Sequence, residues 1–106
     1  MNAIPSDKLD RVVQRWEEIQ ATLNGGVNPA TYAQLTKEFA DLSPVVETVQ
    51  QWRKLQSEQQ DLQQLIADPA SEKDLKAMAQ EELEQVDVRL QQIQEALRIQ
   101  LLPKDA

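Results

Sequence analysis

The stretch that decides the fold is residues 71–102, SEKDLKAMAQEELEQVDVRLQQIQEALRIQLL. Its apolar residues Leu75, Ala79, Leu83, Val86, Leu90, Ile93, Leu97 and Leu101 step by 4, 4, 3, 4, 3, 4 and 4. That is the near-heptad spacing of a helix with a single apolar seam. Ser71, with Asp74 three residues on, has the spacing of a capping box, in which serine and carboxylate each satisfy an orphan N–H. The pattern predicts a helix over 71–102, about 48 Å long at 1.5 Å per residue. A seam of that length buries nothing alone and needs a partner helix.

The partner lies immediately upstream. Val45, Val49, Trp52, Leu55, Leu62, Leu65 and Ile66 continue the helical period as far as Asp68-Pro69. A joint of four residues, Asp68 to Ser71, forces the two helices antiparallel, as an αα-hairpin with coiled-coil-like packing. Ser43-Pro44 reads as a cap followed by a first-turn proline, and the residue before a proline is pushed out of helical geometry. The pattern therefore predicts a break there and a helix over 44–67, with one kinked continuous rod as the close alternative. Asn28-Pro29 carries the same cap-then-proline grammar, and Tyr32, Leu35, Phe39 and Leu42 complete a helix over 28–42. Leu9, Val12, Val13, Trp16, Ile19 and Leu23 define a first helix over 6–24, which Asn24-Gly25-Gly26 stops.

The expected fold is all-α, four helices in one domain spanning 1–106, with residues 103–106 starting a linker. No stretch shows sustained period-two alternation, so no strand is expected. Three of the four aromatics, Trp16, Tyr32 and Phe39, fall in the first two helices, which places the thick part of the core at the base. The hairpin tip has only Leu62, Leu65, Ile66, Leu75 and Met78, and is expected to open most easily.

Composition narrows the chemistry. There is no cysteine, which excludes a disulfide scaffold, a thiolate zinc site and a cysteine nucleophile. There is no histidine, which excludes an imidazole base, a Ser-His triad and histidine-ligated metals. A chain of 106 residues has room for one core and no second. Its 18 acidic and 11 basic residues give a net charge of −7, split as −4 over residues 1–70 and −3 over 71–106. Neither part is basic, so naked nucleic acid and anionic membranes are poor partners. No apolar run reaches eight residues, and Met1-Asn2-Ala3-Ile4-Pro5 has no export pattern, so the cytoplasm is expected.

The remaining motifs have plain structural explanations. Sixteen glutamines, Gln59-Gln60 and Gln63-Gln64 among them, alternate with leucines at helical spacing and suit a solvated helix face. Glu81, Glu82, Glu84 and Asp87 resemble a carboxylate metal cluster, but a di-iron bundle also needs Glu-x-x-His, so no metal, cofactor or catalytic residue is assigned. Trp16 and Trp52 lie on apolar stripes and are read as core rather than as base-stacking platforms. Arg11, Arg15, Arg53 and Lys54 remain as the residues that a phosphate-binding patch would have to use.

One resemblance goes further. The run Leu101-Leu102-Pro103-Lys104-Asp105, following Ala79-Gln80-Glu81-Glu82-Leu83, resembles the end of the amino-terminal helical domain of the bacterial peptide chain release factor 1 family. Glu38-Phe39-Ala40-Asp41-Leu42-Ser43 resembles that domain's second helix. The resemblance covers essentially the whole chain and implies that it is the first domain of a longer factor. It further implies a non-catalytic docking role at the ribosomal stalk base near ribosomal protein L11. The class-2 release GTPase and the methyltransferase that modifies release factors on glutamine are its further implied partners. The full-length family directs release at UAA and UAG with a Pro-x-Thr tripeptide and a Gly-Gly-Gln motif in later domains. Pro29-Ala30-Thr31 spells the tripeptide but is explained by first-turn residues after Asn28, and Gly25-Gly26 is followed by Val27. A free-standing helical-hairpin adaptor or coiled-coil dimerisation module is the alternative, and the tRNA-binding arm of a synthetase, disfavoured by the net charge, a third. The docking residues are left unassigned.

Overall fold

The computed structural model of the chain describes residues 4–103, which form three α-helices in the order α1 (Ser6–Gly25), α2 (Pro29–Ala67) and α3 (Lys73–Gln100). Among the described residues there is no strand, as the sequence pattern indicates. Positions 1–3 and 104–106, which include the Met1-Asn2-Ala3 start and most of the expected linker, lie outside the described residues.

The boundaries of α1 and the start of α2 follow the sequence closely. The amides of Lys8 and Leu9 donate to the Pro5 carbonyl as α1 begins. The helix ends where Gly26 takes φ 86°, a left-handed value that favours glycine, and returns its amide to the Leu23 carbonyl. Asn28 caps α2 by accepting from the Thr31 amide at 2.9 Å, with Pro29 as the first helical residue.

The expected break at Ser43-Pro44 is absent, so four helices become three. α2 runs through Pro44 for 39 residues. A proline inside a helix removes one backbone hydrogen bond and costs about 3 kcal/mol, and here packing on both flanks outweighs it. Val45, Val46 and Val49, just past the proline, are buried. Just before it, the Ser43 hydroxyl donates to the Phe39 carbonyl at 2.7 Å and accepts the Trp16 indole N–H at 2.9 Å, so α1 is fastened to the residue that local preference would expel. Breaking the helix would unmake contacts on two neighbours at once.

The capping box expected at Ser71 and Asp74 also fails to form. α3 starts at Lys73 after Glu72, which supplies no side-chain cap. The Ser71 hydroxyl instead reaches back to the Leu65 carbonyl at 2.8 Å, tying the turn to the end of α2, while Asp68 accepts from the Ala70 amide at 2.9 Å. An orphan carbonyl at the end of α2 and an orphan amide at the start of α3 compete for the same hydroxyl, and the carbonyl has it. At its other end α3 stops at Gln100, short of the expected 102, with the Leu101 amide closing on the Leu97 carbonyl.

α2 is a spine with a different neighbour along each part. α1 lies antiparallel to its first half, as the pairs Trp16–Ser43 and Arg53–Asp10 show, and α3 lies antiparallel to its second. Around Val45 and Val49 all three helices meet, where Leu9, Val45, Val49 and Leu97 close a buried cluster edged by Trp52 and Leu101. A second cluster, Leu55, Val86 and Leu90, continues along the hairpin. The staggered arrangement measures 62 × 32 × 19 Å with a radius of gyration of 18.7 Å, against about 13 Å for a compact chain of this length.

The core is therefore aliphatic and central, where an aromatic base was expected. Trp16 and Phe39 stack with centroids 5.3 Å apart but stay half-buried, and Tyr32 is 56% exposed. Trp16 and Phe39 pair between α1 and α2 before α3 joins them at Val45, and a two-helix contact cannot enclose an aromatic ring on all sides.

Candidate docking surfaces

Polar contacts between α1 and α2 set the base of the molecule. Arg15 spans to Glu38 as a two-pronged pair, Nε to Oε2 at 2.6 Å and Nη2 to Oε1 at 2.8 Å. The Arg15 hydrogen bond holds the Glu38 carboxyl below the ordinary glutamate range, against an opposing effect of burial and with added Coulomb attraction; the guanidinium is raised in turn. Arg53 reaches Asp10 at 2.5 Å, and Arg11 lies 3.9 Å from Asp7. Three of the four cations that a phosphate patch would need are thus turned towards carboxylates of this chain. Lys54, the fourth, is exposed and has no ion pair among the described residues.

On α3, Arg98 pairs with Glu95 at 2.6 Å; the hydrogen bond lowers the Glu95 carboxyl and raises the guanidinium. Asp87 accepts from Gln59 across the hairpin at 2.8 Å, so one member of the acidic stretch is engaged in holding α2 to α3. Glu81, Glu82 and Glu84 are exposed, and among the described residues no group of three carboxylates is gathered closely enough to hold a metal ion. Trp52 packs against both clusters and is half-buried. Pro29-Ala30-Thr31 forms the first turn of α2, and Gly25-Gly26 ends α1.

Between the second half of α2 and the first half of α3 runs an open groove. Glu58 and Asp61 border it from α2, Glu82 and Arg89 from α3, and Leu62 and Val86 lie at its bottom. Sequence reasoning passed over Glu58 and Asp61, which look like any solvated helix positions until the second helix is in place. It assigned Leu75 to the buried seam, yet Leu75 is 43% exposed, and Met78 in the next turn is 67% exposed. The period places a residue on a face, but with α1 far away nothing closes that face over the tip.

No helix of the described residues is long and apolar enough to cross a membrane. Residues 12–106 match the PCRF domain. The chain belongs to the PCRF domain family. Its similarity to individual relatives extends over nearly its whole length. It is 39% identical over 103 residues to peptide chain release factor 1 of Ruegeria pomeroyi and 34% identical over 103 residues to that of Jannaschia sp., covering 97% of this chain in both cases. To peptide chain release factor 1 of Gluconobacter oxydans it is 38% identical over 101 residues, 94% of this chain. In each case the matched region is 28% of the relative, so the chain spans little more than a quarter of the curated relatives it matches. Among solved structures none matches. The described residues of this PCRF domain thus present three helices, a polar seam at the base and, on the hairpin, a groove with acidic borders.

Proposed function

We propose that the chain is a non-catalytic docking domain of a translation termination factor, working in the cytoplasm. The observation that carries this reading is the PCRF match over residues 12–106, continuous from the base into both arms of the hairpin. The arrangement suits the role: a rod 62 Å long with arginines pinned to their own carboxylates offers reach and a shaped acidic surface. The side-chain inventory suits it too, since the chain has neither histidine nor cysteine to act as base or nucleophile.

The finer reading follows the family resemblance. The domain docks at the ribosomal stalk base near ribosomal protein L11, and the full-length factor releases peptides at UAA and UAG through its other domains. The class-2 release GTPase and the glutamine methyltransferase of release factors are its further partners. At net −7 the domain meets like charge in ribosomal RNA, so its contacts are mostly to protein, whose basic surfaces it complements.

The test is co-sedimentation of the purified 106-residue chain with bacterial ribosomes, with and without L11, beside a release assay on terminated ribosomes at all three stop codons. Binding that falls when L11 is removed, with no peptide released, is the expected result. Absence of binding, or release by this chain alone, would overturn the reading.

A further inference from the structure

Two independent features of the hairpin fall on one face. The first is electrostatic. Asp7, Asp10, Glu18, Glu38 and Glu95 each have an arginine of this chain within 4 Å. Glu58, Asp61 and Glu82, which border the groove, have no ion pair among the described residues; Arg89 is the cation that lines the groove with them, and Lys54 lies one turn before Glu58 outside it. The second is apolar. Met78 precedes Glu82 by four residues and Leu75 precedes Met78 by three, so both continue the groove's α3 wall towards the tip. They are two of the large apolar side chains that the described residues leave exposed.

We propose that this face, from Arg89 to Leu75, is a docking groove for an amphipathic helical segment of a protein partner, with lysines or arginines flanking an apolar stripe. The occupant's cations meet the unpaired carboxylates of both walls. Its apolar stripe lies on Leu62, Val86 and the exposed tip pair, where the unbranched thioether of Met78 adapts to shape. From Leu75 to Arg89 α3 rises about 21 Å, which sets the occupant at about four helical turns. A phosphate backbone is excluded by the same carboxylates, and an anionic lipid surface likewise. This inference deepens the docking reading and rests on it by naming the surface and the chemistry of what it receives.

The experiment titrates the isotope-labelled 106-residue chain with an 18-residue peptide of leucine, lysine and arginine patterned as an amphipathic helix. Parallel titrations use the same composition scrambled to destroy the helical period, the same pattern with glutamate in place of the cations, and a short RNA duplex. Amide shifts confined to residues 58–62 and 75–89, seen with the patterned basic peptide and at least about tenfold weaker with the scramble, are expected. Removing the three charges with Glu58→Gln, Asp61→Asn and Glu82→Gln should weaken binding about tenfold, and Met78→Ser about fivefold, by the usual worth of exposed charge pairs and one apolar anchor. All four positions are on the surface, and unchanged far-UV circular dichroism would establish that the variants fold.

Equal binding of the scrambled peptide, shifts centred on α1, or preference for the RNA would each overturn the proposal. Co-sedimentation with ribosomes separates it from the broader reading. A triple variant that pellets like the wild type removes the groove and leaves docking intact, whereas a wild type that fails to pellet removes docking while the peptide map still decides the groove.

Discussion

Halfway along α2 the chain has neighbours on two sides; at the hairpin tip it has one. Around Val45 and Val49 the residues Leu9, Val49 and Leu97 are essentially inaccessible to solvent, at 1%, 0% and 0%. Near the tip Leu62, Leu65 and Ile66 are only half-buried, Leu75 and Met78 are exposed, and Ala79 is the one buried residue of that part of α3. Both sections carry the same apolar spacing, so periodicity alone does not tell them apart. A helix face is buried by what lies over it, and two helices in contact cover only the strip between them. The middle stabilises the fold, and the tip is left free to hold apolar side chains in water for a partner.

The sharpest way to break this comparison is to put one charge into each section. Val49→Asp places a carboxylate where no water reaches and should cost at least about 3 kcal/mol, enough to unfold much of the population of a small domain. Met78→Asp should stay within about 0.5 kcal/mol, as a surface change does. Thermal or urea unfolding of the two variants measures both, and similar midpoints would mean that the tip is packed as firmly as the middle. Hydrogen exchange sharpens the same contrast, with slow exchange at the amides of 45–55 and faster exchange over 62–79.

Pro44 gives the next largest effect. Pro44→Ala restores a backbone N–H inside α2, and chemical denaturation should show a gain of about 2–2.5 kcal/mol, the helix penalty of proline less the entropy it removes from the unfolded chain. A loss of stability would mean that the ring itself packs usefully, since the structure gives the freed N–H a helical partner to bond.

The fastening of α1 comes third. Trp16→Phe keeps the stack on Phe39 but loses the indole bond to Ser43, and should cost about 1 kcal/mol. Ser43→Ala removes the same bond from the other side, so the double variant should lose less than the sum of the two. Strict additivity, measured by unfolding of all three, would dissolve the idea that this hydroxyl secures the proline to α1.

Much of this architecture was legible in the residues, and the failures have physical causes. Asn28-Pro29 and Gly26 are local signals whose partners lie within four residues, so the sequence carries both without the fold. Ser43-Pro44 is the same grammar, but its outcome depends on Trp16, twenty-seven residues away, which no local rule weighs. Ser71 had two backbone groups competing for one hydroxyl, and spacing identified only one of them. For the surface, the sequence offered Glu81, Glu82, Glu84 and Asp87 because they are neighbours in the chain. The groove instead gathers Glu58 and Asp61 with Glu82, which only the pairing of α2 with α3 brings to one place.

The smallest effect concerns the Arg15–Glu38 pair, and its sign follows from the depressed carboxyl. Glu38 is harder to protonate in the folded chain, where it accepts from Arg15, than in the unfolded one. Its contribution is therefore fully present above the unfolded glutamate value and is lost as the pH falls through the lower folded value. Side chains 46% and 40% exposed keep that contribution small, and added salt should shrink it further. Unfolding curves recorded from neutral to acid pH for the wild type and Glu38→Gln should converge as the acid limit is reached, with the wild type the more stable at neutrality. If the gap instead widened in acid, the folded chain would favour the protonated carboxyl, and the ion pair with Arg15 would not be what holds Glu38 to α1. The base would then owe its closure to the Trp16–Ser43 bond, the Arg53–Asp10 pair and the burial of Leu9 against α2. Because this pair bridges α1 to the first half of α2, any loss of it should appear in amide exchange around Glu38 and leave the hairpin tip unchanged, which keeps even this minor effect a test of whether the two ends of the rod behave independently.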